Sequence, residues 1–130
     1  MLRQRVVHIG ALLALIGLGI CGPASAHHSF ARFDRCHLFT LAGDIQGVKW
    51  RNPHVEIDMR AIDGNTYTVI WLSLVQLKRD GVDVGVLKAG DRIQITGAKQ
   101  PEDSPHVVAL LTQIWRPKDG WRWSQPPQGC

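Results

Sequence analysis

Two adjacent histidines, His27 and His28, directly follow a run of small residues that ends at Ala26. Cleavage of a signal peptide after Ala26 would make His27 the first residue and place a free α-amine beside two imidazoles. These groups are largely available as nitrogen ligands near neutral pH. Such donors suit Cu(II), with Ni(II) and Zn(II) as weaker competitors. The chain start therefore predicts ligands for a copper-type ion.

A histidine from the folded domain would anchor such an ion, and His54 is the best placed one. It follows Asn52-Pro53, a pair that favours a turn or an extended entry into a strand. His37 is the reserve, and Asn52 is a weaker ligand-binding candidate. The alternative interpretation is that the paired histidines form a polar chain end and that His54 hydrogen-bonds a loop carbonyl. It draws support from the lack of His-x-x-x-His and Cys-x-x-Cys spacings.

Glu56 and Asp58 share a strand face with His54, and two residues apart on a strand they lie ~7 Å from each other. Alternating charge on the solvated side of a strand is usually only solvation. Ser29 and Ser73 lack a Gly-x-Ser-x-Gly setting, so a serine nucleophile is not indicated. We assign no catalytic residue, and a hydrolase-type enzyme is the weakest of the functions considered.

Five tryptophans divide into two groups. Trp50, Trp71 and Trp115 lie within strand patterns, where core packing is the expected role. Trp121 and Trp123 are separated by an arginine and followed by prolines, which makes them harder to bury. They are weaker ligand-binding candidates, and they suggest the alternative function of a protein- or glycan-interaction module.

The first residues predict export. Arg3 and Arg5 precede an apolar run at residues 9–20, which is too short for a membrane span of ~20 residues. We expect residues 1–26 to be a signal peptide, the mature protein to be periplasmic or secreted, and no transmembrane anchor to remain. Residues 27–116 form one domain, and residues 117–130 form a Trp- and Pro-rich tail without a regular period.

The charge of the mature chain limits the kinds of partner that are expected, and its two cysteines could pair. After removal of Arg3 and Arg5, thirteen basic residues face eleven acidic ones, and the basic residues are scattered. A nucleic-acid partner is therefore not expected, which leaves a metal ion or a periplasmic protein. Cys36 and Cys130 could pair in an oxidising compartment, or remain free or form intermolecular bonds, because Cys130 is the last residue.

The apolar pattern predicts five strands. Alternation over residues 39–45 slips phase at Gln46-Gly47, which indicates a β-bulge in the first strand. Further strands are predicted at 55–61, at 66–72, around Ile93 and Ile95, and at 106–115. A turn at Asp63-Gly64-Asn65 joins the second strand to the third.

A short helix is predicted between the third and fourth strands. Ser73 and Gln76 form a capping box, and Gly81 is a natural helix end. Three strands, a helix and two strands, with a bulged first strand, predict an all-β fold: a small OB-like five-stranded barrel with one short helix. The alternatives are another small β-barrel or an open α+β meander.

Several blocks together resemble a family of small exported bacterial proteins, domain of unknown function family 6152. The blocks are His27-His28-Ser29-Phe30, Phe33-Asp34, Gly43 to Trp50 with Asn52-Pro53-His54, Leu77 to Gly81, Leu87 to Asp91, and Gly97. The resemblance covers most of residues 27–116 and implies an exported β-barrel domain with no established activity. Two features depart from it: Leu72-Ser73-Leu74 lacks the acidic residue that follows the third-strand tryptophan in that family, and the Trp-rich tail lies outside the pattern.

Overall fold

A computed structural model of the protein describes residues 30–100 and 106–130. The predicted signal peptide and the two N-terminal histidines, His27 and His28, lie outside these ranges. Within them, no helix combines the length and apolar character needed to cross a membrane.

Strands dominate the described residues. A 3₁₀ helix at Phe30–Arg32 precedes them, and one α-helix, α1, spans Leu74–Arg79. The strands are β1 Phe39–Lys49, β2 Glu56–Ala61, β3 Thr66–Ile70, β4 Arg92–Lys99, β5 Val107–Arg116 and β6 Trp121–Ser124. Their order in the sheet is β3-β2-β1-β4-β5-β6, and a parallel pairing of β3 with β5 closes the first five strands into a barrel. The predicted five-stranded barrel with one short helix is confirmed.

The bulge in β1 lets this strand serve two neighbours. Its first half, from Phe39 to Asp44, pairs with β4, and its second half, from Gly43 to Lys49, pairs with β2. The register with β2 shifts between Ile45 and Gly47, where the sequence predicted the phase slip. A bulge bends a strand and increases its twist, which is what barrel closure requires of the strand shared by both halves of the sheet.

Helix α1 begins as its sequence predicts. The Ser73 hydroxyl accepts from the Gln76 backbone N–H, and the Gln76 side chain accepts from the Ser73 backbone N–H. The helix ends at Arg79, with Asp80 as its C-cap and Gly81 following at a φ of 75°. Leu77 is its buried residue and joins the barrel core. Leu74, at the start of the helix, is partly buried against the same core, so the helix packs on the barrel through these two leucines.

Two apolar clusters hold the molecule together. The larger one fills the barrel, and its fully buried members include Ile45, Ile57, Met59, Val69, Ile93, Ile95, Leu111 and Ile114. The smaller one places Phe33 against Ala98 and Ala109. The Asp34 backbone N–H also donates to the Lys99 carbonyl at 3.1 Å. The segment before β1 is thus fixed to the outside of β4 and β5.

The tail is more ordered than its sequence suggests. Its first part forms β6, which pairs antiparallel with β5 and aligns Ile114 with Trp123 and Arg116 with Trp121. Four residues are too few to display a strand period, and the prolines at 126 and 127 hide the pattern further. The sheet therefore continues past residue 116, where the sequence placed the domain boundary.

An ionic cluster around the buried Asp91 joins the turn before β4 to the end of β5. Arg116 donates to Asp91 at 2.9 Å and to the Val86 carbonyl at 2.6 Å. Lys118 donates to the other Asp91 oxygen at 2.5 Å. The Arg116 guanidinium also donates to Asp119, at 2.9 and 3.0 Å. Asp91 is 2 % exposed, so its charge depends on these partners.

Candidate functional site

A cavity of about 130 Å³ opens between the start of the described chain, the barrel and the tail. Five segments that are distant in sequence meet at its walls. They contribute Phe30, His54, Trp71 with Leu72 and Gln76, Leu110 with Leu111, and Gln125 with Gln128. These walls combine apolar side chains with three glutamine amides and one imidazole, and such a mixture of apolar and polar groups occurs in small-molecule sites.

Backbone hydrogen bonds place His54 and Trp71 on neighbouring segments. The Val55 N–H donates to the Leu72 carbonyl at 3.0 Å, and the Trp71 N–H donates to the Val55 carbonyl at 2.8 Å. The Asn52 side chain accepts from the Leu74 N–H at 3.0 Å, which ties the loop before β2 to the start of α1. Asn52, a weaker ligand-binding candidate, is therefore engaged in positioning this loop and is not among the residues that line the cavity.

His54 lines the cavity and has an unused ring nitrogen. Its Nδ1 is buried and has no hydrogen-bond partner among the described residues. Its ring meets that of Phe30 edge-on, with centroids 5.3 Å apart. The alternative expectation, a hydrogen bond from His54 to a loop carbonyl, is therefore not met at Nδ1. The edge-on contact also brings the residue three positions after His27 against the His54 ring.

Trp71 supplies a second unused polar atom in the same walls. The residue is 2 % exposed, and its Nε1–H has no acceptor in the described part of the chain. A buried donor without a partner costs about 1–3 kcal/mol, and most buried polar groups in proteins are paired. Two residues of one cavity wall that each carry such an atom therefore mark the cavity as the candidate functional site.

Leu110, another residue that lines the cavity, has a strained backbone. Leu110 has a φ of 51° and is the one non-glycine residue with positive φ among those described. It lies in a bulge of β5, because Thr96 aligns with Gln113 whereas Ala98 aligns with Ala109. Strain of this kind, of order 1–3 kcal/mol, is concentrated at ligand sites, and bulges redirect side chains beside active sites.

Glu56 and Asp58 lie outside the cavity, where cations neutralise them. Lys49 pairs with Asp58 at 3.1 Å and with Glu56 at 3.5 Å, and Arg51 reaches Glu56 at 3.4 Å. The hydrogen bond to Asp58 is the main cause of a raised pKa of Lys49. This arrangement fits the interpretation that these charges solvate a strand face.

His37 is likewise placed away from the cavity. Its Nδ1 pairs with Asp34 at 3.0 Å, and the hydrogen bond from His37 lowers the pKa of that carboxyl. Among residues 30–100 and 106–130, no three His, Cys, Asp or Glu side chains are grouped closely enough to hold a metal. A copper site at this end of the barrel therefore depends on His27 and His28, which lie outside the described residues.

The two tail tryptophans do not form an exposed pair. Trp123 is 5 % exposed and donates from Nε1 to Asp80 at 2.9 Å. Trp121 is half-buried under the Arg116 guanidinium, which lies 5.6 Å from its ring centroid. Neither residue lines the cavity, so the structure offers little of the flat aromatic surface that an interaction module would need.

The two cysteines are exposed and unbridged, but they are neighbours. The neighbouring Cys130 thiol is the main cause of a raised pKa of Cys36. The tail reaches this end of the molecule because Gln125 pairs with both Thr112 and Leu111 of β5. The structure thus brings together the pair that the sequence left open.

The sequence pointed to His54 but not to the other walls of the cavity. Trp71 has the pattern of a core residue, and its unpaired N–H arises only from tertiary packing. Leu110 carries no local signal at all, since leucine is a poor choice for positive φ. The one indirect clue is Gly97, which faces the bulge and leaves no room for a Cβ.

Comparison with known proteins supports the resemblance seen in the sequence blocks. A family model described as a family of unknown function, DUF6152, matches residues 15–108. No curated protein matches the chain, and no solved structure does. The matched residues span β1 to β4 with His54 and Trp71, and they make up more than half of the chain. The protein therefore belongs to the DUF6152 family of unknown function.

Proposed function

We propose that this small β-barrel is an exported, periplasmic or secreted binding protein that holds a copper-type ion at the His54 end of the barrel. His54 would be the ligand from the fold, and the mature N-terminus with His27 and His28 would supply the others. The observation that carries the proposal is that the His54 ring lines a cavity and forms no hydrogen bond at its buried Nδ1.

The two ring nitrogens of His54 would have different roles, one as metal ligand and the other as hydrogen-bond donor. In this proposal the ion binds His54 through Nε2, the ring nitrogen opposite the unpaired Nδ1. A metal on Nε2 leaves Nδ1 protonated, and metal-bound histidines almost always donate this second N–H to an acceptor. Phe30 contacts the His54 ring, and only two or three residues separate Phe30 from His28 and His27 in the sequence. Nitrogen ligands from both sources suit copper.

Calorimetric titration of Cu(II) into the mature protein tests this function. The N-terminus is first checked by mass spectrometry, which should find His27 as the first residue. We expect His54→Ala, and separately a single Met placed before His27, to weaken binding by at least about tenfold, since the first removes an imidazole and the second moves the α-amine away from the two histidines. Binding should also weaken on acidification, because protons compete with the metal for the same nitrogens.

His106→Ala is the matched control. His106 packs edge-on against Tyr67 at 5.1 Å and does not line the cavity, so its removal should leave copper affinity unchanged. Equal affinity in the native and Met-extended proteins would contradict the proposed site. So would a chain recovered with residues 1–26 still attached.

A further inference from the structure

We propose that the cavity beside His54 also binds a small monocarboxylate of about six heavy atoms in all, with an apolar body. Trp71 Nε1–H and His54 Nδ1–H would donate to its carboxylate. The inference rests on the proposed function in one respect, namely that a metal on Nε2 of His54 leaves Nδ1 as the protonated nitrogen. The unpaired indole of Trp71 supports it independently, because an indole nitrogen is a hydrogen-bond donor and not a metal ligand.

The two unpaired atoms point to an acceptor. Trp71 Nε1 can only donate, and His54 Nδ1 donates whenever Nε2 holds a metal or a lone pair. His54 and Trp71 lie on neighbouring segments, which are joined by the backbone hydrogen bonds of Val55 with Trp71 and Leu72. A carboxylate presents two acceptor oxygens on one carbon. Hydrogen bonds to a charged acceptor are roughly twice as strong as neutral ones.

Charge favours an anion in this cavity. None of its lining residues is acidic, so no wall repels a carboxylate. The carboxylates nearest in sequence to His54, Glu56 and Asp58, do not line the cavity and pair with Lys49. A copper ion on His54 Nε2 would add positive charge on the far side of the same ring.

The volume of the cavity and the residues of its walls limit the size and polarity of the remainder of the ligand. An apolar cavity of ~150 Å³ is known to hold a benzene-sized molecule, and this one measures about 130 Å³. Phe30, Leu72, Leu110 and Leu111 provide apolar contact for a branched or cyclic body. Leu110 is also the residue with the strained φ of 51°. Doubly charged or sugar-sized ligands do not fit this description.

Indole NMR signals of metal-free mature protein test the inference. The five tryptophans give five ¹⁵N–¹H signals, and Trp71→Phe identifies the one that reports on Nε1. Titration with isobutyrate should move this signal downfield to saturation, with a Kd on the order of 1 mM. The isosteric ketone 3-methylbutan-2-one should bind about two- to tenfold more weakly, since it has one uncharged acceptor oxygen.

Variants and contacts complete the test. Trp71→Phe should weaken isobutyrate binding about two- to tenfold, whereas Trp115→Phe, which changes a residue packed under Arg122 outside the cavity, should not. If Trp71→Phe fails to fold, nuclear Overhauser contacts between the isobutyrate methyls and Leu110 or Leu111 replace it. Normal copper binding with no isobutyrate effect on the Trp71 signal overturns this inference alone. Isobutyrate binding without copper binding overturns only the copper proposal.

Discussion

The indole of Trp123 meets that of Trp71 edge-on, with ring centroids 5.3 Å apart, and its Nε1 donates to Asp80 at 2.9 Å. Asp80 is the C-cap of α1, Trp71 forms a wall of the cavity, and Trp123 lies in β6. One side chain from the tail therefore connects the helix end, the cavity wall and the last strand.

Trp123→Ala should lower the free energy of unfolding by about 3–5 kcal/mol, because it leaves a large hole beside Trp71. Trp123→Phe should cost less, about 1–2 kcal/mol, since it keeps most of the packing and loses the hydrogen bond to Asp80. Urea unfolding measures both, with the exposed Ser124→Ala as a control that stays within ~0.5 kcal/mol. An unfolding free energy unchanged by Trp123→Ala would mean that β6 is not part of the cooperative unit.

Asp91 gives the protein an acid-sensitive element. Burial acts to raise the pKa of Asp91, but hydrogen bonds from Lys118, the Lys88 backbone N–H and Arg116 outweigh it and lower the pKa below the ordinary value of 3.8. A carboxyl with a depressed folded-state pKa stabilises the protein above its unfolded pKa and loses this contribution as pH falls through the folded one. We expect the free energy of unfolding to drop below about pH 4.

Asp91→Asn should therefore cost about 3 kcal/mol at neutral pH, since Arg116 retains Asp119 but loses its buried partner. The variant should also show a shallower loss of stability between pH 5 and pH 2 in denaturant titrations. Asp44→Asn is the matched control, because the Asp44–Arg92 pair lies on the exposed surface and should contribute little. Equal acid slopes for wild type and Asp91→Asn would contradict this assignment.

The neighbouring thiols of Cys36 and Cys130 predict a disulfide in oxidised protein. This bond would close a loop of almost the whole mature chain and stabilise the fold by up to ~4.7 kcal/mol in the chain-entropy model. Thiol labelling of unfolded, non-reduced protein should find no reactive cysteine, whereas Cys36→Ser should expose one, at Cys130. Two labelled thiols per wild-type chain would refute the bridge.

Gly97 should be intolerant of any side chain. A Cβ at this position would lie 2.8 Å from the Ala109 carbonyl oxygen and 2.8 Å from Leu111 Cδ2, and the backbone atom cannot move cheaply. We expect Gly97→Ala to destabilise the protein by about 1–3 kcal/mol. Gly47→Ala, at the bulge of β1, meets no atom within 4 Å and should change stability by less than ~0.5 kcal/mol. Thermal unfolding of the two variants compares them directly.

Local signals account for the parts of the fold that were foreseen. The phase slip at Gln46-Gly47 and the capping box of Ser73 with Gln76 each depend on a few adjacent residues, and both are confirmed. β6 was missed because Trp121 and Trp123 are placed by β5, which lies outside their own segment. Pairing of this kind leaves no periodic trace in four residues.

The candidate site follows the same rule. His54 was foreseen because the turn before it and the strand after it are readable in sequence. The unpaired Nε1 of Trp71 was not, because whether a buried donor finds an acceptor depends on every segment that surrounds it. The positive φ of Leu110 is similarly tied to the β4–β5 register, since this residue lies where the pairing of the two strands shifts.

The way the barrel closes has a consequence for how the chain must be made. Strands β1 to β3 form a meander by themselves, yet the outer edge of β1 is covered only by β4 and that of β3 only by β5. Unpaired edges recruit strands from other chains, and N-terminal segments emerge first during synthesis. Protection of the first strands against aggregation is therefore encoded in the last third of the chain. A fragment that ends before residue 92 should be insoluble even though it contains three of the five barrel strands.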